Sequence, residues 1–249
     1  MTVPVRLRFV RISEVRIRRG LGVAVGMAVW LLPGALLAHK DDYLGDTFVF
    51  VTLDARELEL EYWLDAQDGP RGLLHTVGVE YGLTGHMMAD VSVRWLQRSG
   101  GPLAFSQGFL ELRHRFGEEG RHVVDPAVSL EYEIRRDSEG RRRRLLEPRV
   151  VLSRDFAGWN ATVNLFYVIV IGARSRSAFE GAAGIRSPAF GPWSAGVEFR
   201  REVALENESV VIPQVWYRIS PEAYLKAGGG KNFAGEKNAF FRVAFEVEF

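Results

Sequence analysis

From about residue 57 to the end of the chain, hydrophobic and polar residues alternate with a period of two. The last stretch is the clearest: Phe241, Val243, Phe245, Val247 and Phe249 alternate with Arg242, Ala244, Glu246 and Glu248. An extended strand with this pattern has one apolar face and one charged face. Upstream, Leu58, Leu60, Tyr62 and Leu64 alternate with Glu57, Glu59, Glu61 and Asp65, and Val77, Val79 and Tyr81 with Thr76, Gly78 and Glu80. Val91, Val93 and Trp95 oppose Asp90, Ser92 and Arg94; Leu110, Leu112 and Phe116 oppose Glu111, Arg113 and Arg115; Val128, Leu130, Tyr132 and Ile134 oppose Ser129, Glu131, Glu133 and Arg135. Further strands are predicted around Val150 and Leu152 and from Trp159 to Tyr167, with weaker repeats around 178–186, 195–200, 211–219 and 224–231.

The pattern predicts about twelve strands, with ten or fourteen as alternatives, at one strand per ~18 residues; a membrane-spanning strand needs about 10 residues plus a turn. Soluble sandwiches also alternate, but their strands usually run about 5 to 6 residues, whereas several here sustain the pattern longer. The expected fold class is therefore all-β, an antiparallel transmembrane β-barrel over residues 57–249. Residues 47–53 break the rule, because Phe48 and Phe50 face opposite to Val49 and Val51 and neither side is polar. This stretch is expected to pair as an extra strand or to dock as a plug, within an N-terminal periplasmic segment spanning 39–56.

The first 38 residues read differently. A basic region from Arg6 to Arg19 precedes an apolar run over 20–30, then Pro33-Gly34 and Ala35-Leu36-Leu37-Ala38. This is the layout of a secretory signal peptide cleaved after Ala38. It also changes the charge balance. The whole chain is at +1, but the leader holds six Arg and one Glu, leaving 26 basic against 30 acidic residues, a net of −4. A mildly acidic exported protein gives no support to nucleic-acid binding. The absence of cysteine removes disulfides, thiolate metal sites and cysteine nucleophiles. A mean hydropathy of −0.04 beside 16 Phe, 7 Tyr and 6 Trp suits a barrel with one apolar and one wet face.

The final strand, with its terminal Phe249, resembles that of Gram-negative outer-membrane proteins. The resemblance implies that Phe245, Val247 and Phe249 are read by the barrel-assembly machinery and that the outer membrane is the destination, with its lipids as partners and a periplasmic partner as a further candidate. Glu80-Tyr81-Gly82-Leu83-Thr84 and Tyr217-Arg218-Ile219-Ser220-Pro221-Glu222 are similar to turn phrases of outer-membrane barrels described as transporters or as MetA-type phenol-degradation proteins, which hints at transport. With the N-terminus periplasmic, short internal turns are expected at 83–86, 155–158 and 219–222. Longer external loops are expected at 66–72, 97–107, 137–144, 202–209 and 232–238.

Strand parity places Glu57, Glu59, Glu61, Arg113, Arg115, Glu131, Glu133 and Arg135 on the lumen face. A twelve-stranded barrel lies between filled eight-stranded barrels and open porins. Its charged lining either holds water, giving a narrow porin-like channel for small polar solutes, or pairs into a closed structural or binding barrel. The third reading is a lipid-modifying enzyme, for which His75 and Ser106 both face lipid by parity. They fall two strands apart, roughly 9 to 10 Å at ~4.8 Å per strand, beyond a Ser–His hydrogen bond, so no catalytic residue and no enzyme is expected. No phosphate loop or metal-ligand cluster is visible in the sequence, and no cofactor is expected.

Overall fold

A computed structural model describes residues 42–45, 47–67, 72–136, 140–172, 177–203, 208–234 and 238–249. The leader and its cleavage site lie outside the described residues. The alternating segments form twelve strands. The first six are β1 (Leu58–Gln67), β2 (Gly72–Thr84), β3 (Met87–Arg98), β4 (Leu103–Arg115), β5 (Asp125–Arg136) and β6 (Arg142–Phe156). The rest are β7 (Trp159–Ile171), β8 (Ser177–Arg186), β9 (Trp193–Val203), β10 (Ser209–Ser220), β11 (Ala223–Ala234) and β12 (Ala239–Glu248). Each pairs antiparallel with its neighbours in sequence, and β12 returns to pair with β1, so the sheet closes into a barrel. At the seam the Leu58 amide donates to the Phe249 carbonyl (3.2 Å) and the Phe249 amide to the Leu58 carbonyl (2.7 Å). Closure leaves no strand edge unpaired, as a bilayer without water to satisfy backbone groups requires.

The period-two pattern now has its physical meaning. Val91, Leu110, Phe179 and Phe241 are all more than half exposed on the outside, whereas Glu111, Arg113, Arg149 and Glu246 are buried inside. Such an inverted distribution is stable only when the outer solvent is apolar.

Two expectations are corrected and one choice between alternatives is made. The strands run further than the alternation alone suggested toward the end opposite the termini. Their connections there shrink to 68–71, 99–102, 137–141, 172–176, 204–208 and 235–238. At the termini end, 85–86, 157–158 and 221–222 are short as expected, but 116–124 and 187–192 there are the longer connections. Second, of the two alternatives for 47–53, an extra strand or a docked plug, the structure adopts the latter: residues 42–45 and 47–53 lie in the lumen, where Tyr43, Leu44, Val49, Phe50 and Leu53 are almost wholly buried. Third, β4 carries a bulge at Ser106, because Arg94 pairs with Gln107 and Trp95 with Phe105. A bulge adds one residue to one strand and resets parity, so Phe105 takes the outward position.

The plugged lumen as candidate functional site

Two unlike walls enclose the lumen. On the wall running from β12 through β1 to β6, acidic residues stand directly opposite one another across every strand pair: Glu248 opposite Glu59, Glu59 opposite Glu80, Glu80 opposite Asp90, Asp90 opposite Glu111, Glu111 opposite Glu131 and Glu131 opposite Glu147. Cations from the neighbouring layers answer part of this ladder. Arg113 pairs with Glu111 at 3.1 Å and with Asp42 at 2.8 Å, Arg149 with Glu147 at 2.6 Å, and Lys226 with Glu246 at 2.5 Å. Arg242 grips Asp65 through two hydrogen bonds, 2.5 and 2.8 Å, the bidentate geometry that makes such a pair strong. Glu59, Glu61 and Glu246 bring carboxylate oxygens within 4.8 Å of one another.

The wall from β7 to β11 presents amides, hydroxyls and glycines inward, with Glu180, Glu198 and Lys226 among them, and it seats the plug. Tyr43 donates its hydroxyl to Asn160 Oδ1 (2.9 Å) and meets Trp216 edge-on, ring centroids 5.5 Å apart. Burial pushes the Tyr43 phenol well above its ordinary range, so it stays a neutral donor. The Leu44 amide donates to Gln214 Oε1 (2.8 Å) and the Gly45 amide to Glu198 (2.8 Å); the Thr47 hydroxyl also donates to Glu198. Asn164 receives the Phe48 amide (2.8 Å) and donates to its carbonyl (2.9 Å). Close approach requires glycine here: a Cβ on Gly184 would stand 2.6 Å from the Tyr43 ring, and one on Gly228 2.9 Å from Leu44.

Phe48 bridges the walls. Its ring lies between two guanidinium groups, Arg113 at 3.8 Å and Arg149 at 3.7 Å from the centroid, where the π face offsets part of the cost of burying both cations. Lys226 donates to the Asp42 carbonyl (3.0 Å) and Arg242 to that of Leu44. Beside the segment the lumen keeps two cavities of about 250 and 230 Å³, the first bordered by Asp42, Tyr43 and Phe48 and the second by Gly45.

Of the residues expected to line the lumen, Glu61, Arg113, Glu131, Glu133 and Arg135 border the larger cavity. Glu59 faces inward but is packed away from it. Glu57 precedes β1 and accepts the Asp54 amide (2.7 Å), serving the entry turn rather than the lumen. Arg115 ends β4 and is tied to the Gly85 carbonyl (2.8 and 2.5 Å), at the rim near the termini. Parity assigns a face and leaves height along the barrel open, which is why these two end at the rim. Phe245 on β12 and Phe249 just beyond it are exposed on the outside. His75 is engaged on both ring nitrogens, by the Tyr62 hydroxyl (2.8 Å) and Gln97 Oε1 (3.2 Å), so those contacts, and not Ser106, position it.

A closed antiparallel barrel with an apolar exterior and a charged interior is the fold of outer-membrane β-barrel porins. Among solved structures, the chain is similar to the NanC porin (TM-score 0.60, 9% identity, covering 76% of this chain and 98% of that one). It is also similar to the KdgM porin in complex with oligogalacturonate (0.56, 12%, 77% and 99%). A third is an outer membrane channel from Pseudomonas putida F1 (0.60, 10%, 84% and 100%). No family model and no curated protein matches the chain.

Proposed function

We propose that this chain is a narrow channel of the bacterial outer membrane, reached after export, which passes small polar solutes and is closed at rest by its own segment 42–54. The observation that carries the reading is a water-accessible, charged cavity of about 250 Å³ inside a barrel whose outer face is apolar. The porin fold of the structural neighbours supports the same class. The plug is held by apolar packing of Tyr43, Val49 and Phe50 together with polar and ionic contacts that water can replace, inside a lumen otherwise lined for hydration.

The ordered plug favours a second reading, a barrel that binds or scaffolds without conducting. Planar-bilayer recording of the refolded barrel separates the two. The channel reading expects rare openings in wild type, long openings in Phe48→Ala, and a shift in ion selectivity in Glu131→Gln/Glu133→Gln. Silence from all three, in barrels shown to be folded, would transfer the assignment to the non-conducting reading.

A further inference from the structure

We infer that the outer face of the β5–β6 hairpin, at the end opposite the termini, clamps the phosphate groups of an outer-leaflet lipid through Arg136, Arg142 and Arg144. The register of β5 and β6 runs without a shift from Asp125 opposite Ser153 to Arg136 opposite Arg142, with Arg144 opposite Ile134. On β6 the buried positions are Leu145, Arg149, Val151 and Ser153, so Arg142 and Arg144 share the outer side with Leu146, Val150 and Leu152. On β5, Arg136 stands on that same side with Leu130, Tyr132 and Ile134. Side chains directly opposite start about 5 Å apart and diagonal neighbours within about 8 Å, so the three arginines rise from one patch. The bulge at Ser106 helps to hold it outside: it turns Phe105 outward, and the Arg136 guanidinium lies over that ring, 5.9 Å from the centroid.

Like charges facing one another across a strand pair repel, and this patch does not balance itself. Residues 135–144 hold six Arg against Asp137 and Glu139, although residues 39–249 sum to −4. Among the described residues, the outward positions of β4 to β7 carry no Asp or Glu, and neither Arg142 nor Arg144 has an ion-pair partner. The surface beside the patch says which anion fits. An apolar stripe that includes Leu130, Val150 and Leu152, 39 to 47% exposed, runs along the same two strands to Ile134 and Leu146, and the arginines take the next outward positions. A lipid whose chains lie on the stripe brings its headgroup phosphate to that height, where guanidinium groups bind it bidentately. Free phosphate makes no use of the stripe. Three cations exceed what one phosphodiester neutralises, which points to a headgroup with two phosphates.

The inference rests on the outer-membrane location proposed above, with this end facing outward, and does not rest on conduction. The test titrates the full barrel, refolded in detergent, with diphosphorylated lipid A and follows the complex by native mass spectrometry. Fully dephosphorylated lipid A, inorganic phosphate and phosphatidylglycerol serve as comparison ligands. Wild type is expected to retain lipid A saturably and the dephosphorylated lipid far more weakly. Arg142→Gln/Arg144→Gln should weaken apparent lipid A affinity about tenfold or more, equivalent to roughly 1.4 kcal/mol, and Arg136→Gln by less, whereas Arg121→Gln, in the 116–124 connection at the other end, leaves it unchanged. The substituted side chains are exposed and their loss relieves repulsion, so folding is expected to survive, and a melting curve checks it. Wild-type affinity in the double variant, undiminished binding of the dephosphorylated lipid, or displacement by inorganic phosphate or phosphatidylglycerol at equal phosphate concentration would overturn the proposal. Conduction without lipid binding would remove this site and leave the channel; lipid A binding by an electrically silent barrel would do the reverse.

Discussion

The two walls of the lumen obey one alternation rule yet carry different chemistry. The β12–β6 wall is a stack of carboxylates and guanidinium groups; the β7–β11 wall sets small residues and amides among fewer charges, chiefly Glu180, Glu198, Arg200 and Lys226. Carboxylates in register repel, and the larger lumen cavity lies mainly along that side. Amides and glycines, with Glu198 and Lys226 at two points, take up the plug's hydrogen bonds and permit close contact, so the plug lies against them. A barrel can thus be charged enough to stay wet on one side and smooth enough to be stoppered from the other.

Four changes should break or sharpen this contrast, in decreasing order of expected effect. Arg242→Met takes the counter-charge from Asp65, which is 3% exposed, and should cost the barrel about 3–5 kcal/mol, seen as a fall in the denaturant midpoint; an unchanged midpoint would mean the charged wall does not depend on its pairs. On the opposite wall, Gly184→Leu puts atoms where the Tyr43 ring sits at 2.6 Å, an overpacking penalty of up to about 3 kcal/mol. Since expelling the plug relieves it, hydrogen exchange at 43–50 should accelerate while the strands keep their protection. Phe48→Ala removes the ring shared by two guanidinium groups and should loosen the plug by about 2 kcal/mol, read by the same exchange measurement. Tyr62→Phe, on the outer face, deletes one hydrogen bond to His75 and should cost about 1 kcal/mol of barrel stability with no change in plug exchange; any change would join the outer face to the plug.

Much of the barrel was legible because its information is local. The faces of β1, β2, β5 and β12 follow from residues two apart, and the count of twelve follows from their spacing. The lumen was legible only where charges marked it. Asn160, Thr162, Asn164, Gly184 and Gly228 carry no charge, and their role depends on partners more than 100 residues away, such as Tyr43 and Asn160; a buried Asn or Gly looks like a weak strand position. Height was hidden as well, so Glu57 and Arg115 shared a face with Glu61 and Arg113 without sharing the cavity. The bulge at Ser106 was invisible because Phe105-Ser106-Gln107 alternates acceptably in either register. Residues 47–53 did carry a signal, an apolar stretch with no polar face, and its resolution required a lumen to receive it.

The seam between β1 and β12 has a consequence in time. β1 and β12 are the first and last strands of the barrel to be made, and the pairing of Leu58 with Phe249 joins residues from opposite ends of it. Until that last strand arrives, β1 has one row of backbone groups with no partner, and segment 42–54, made earlier still, has only part of its seat. Closure is therefore the commitment step. Everything before it is an open-edged sheet with an apolar face, and the inner segment becomes an interior part only when the wall shuts around it.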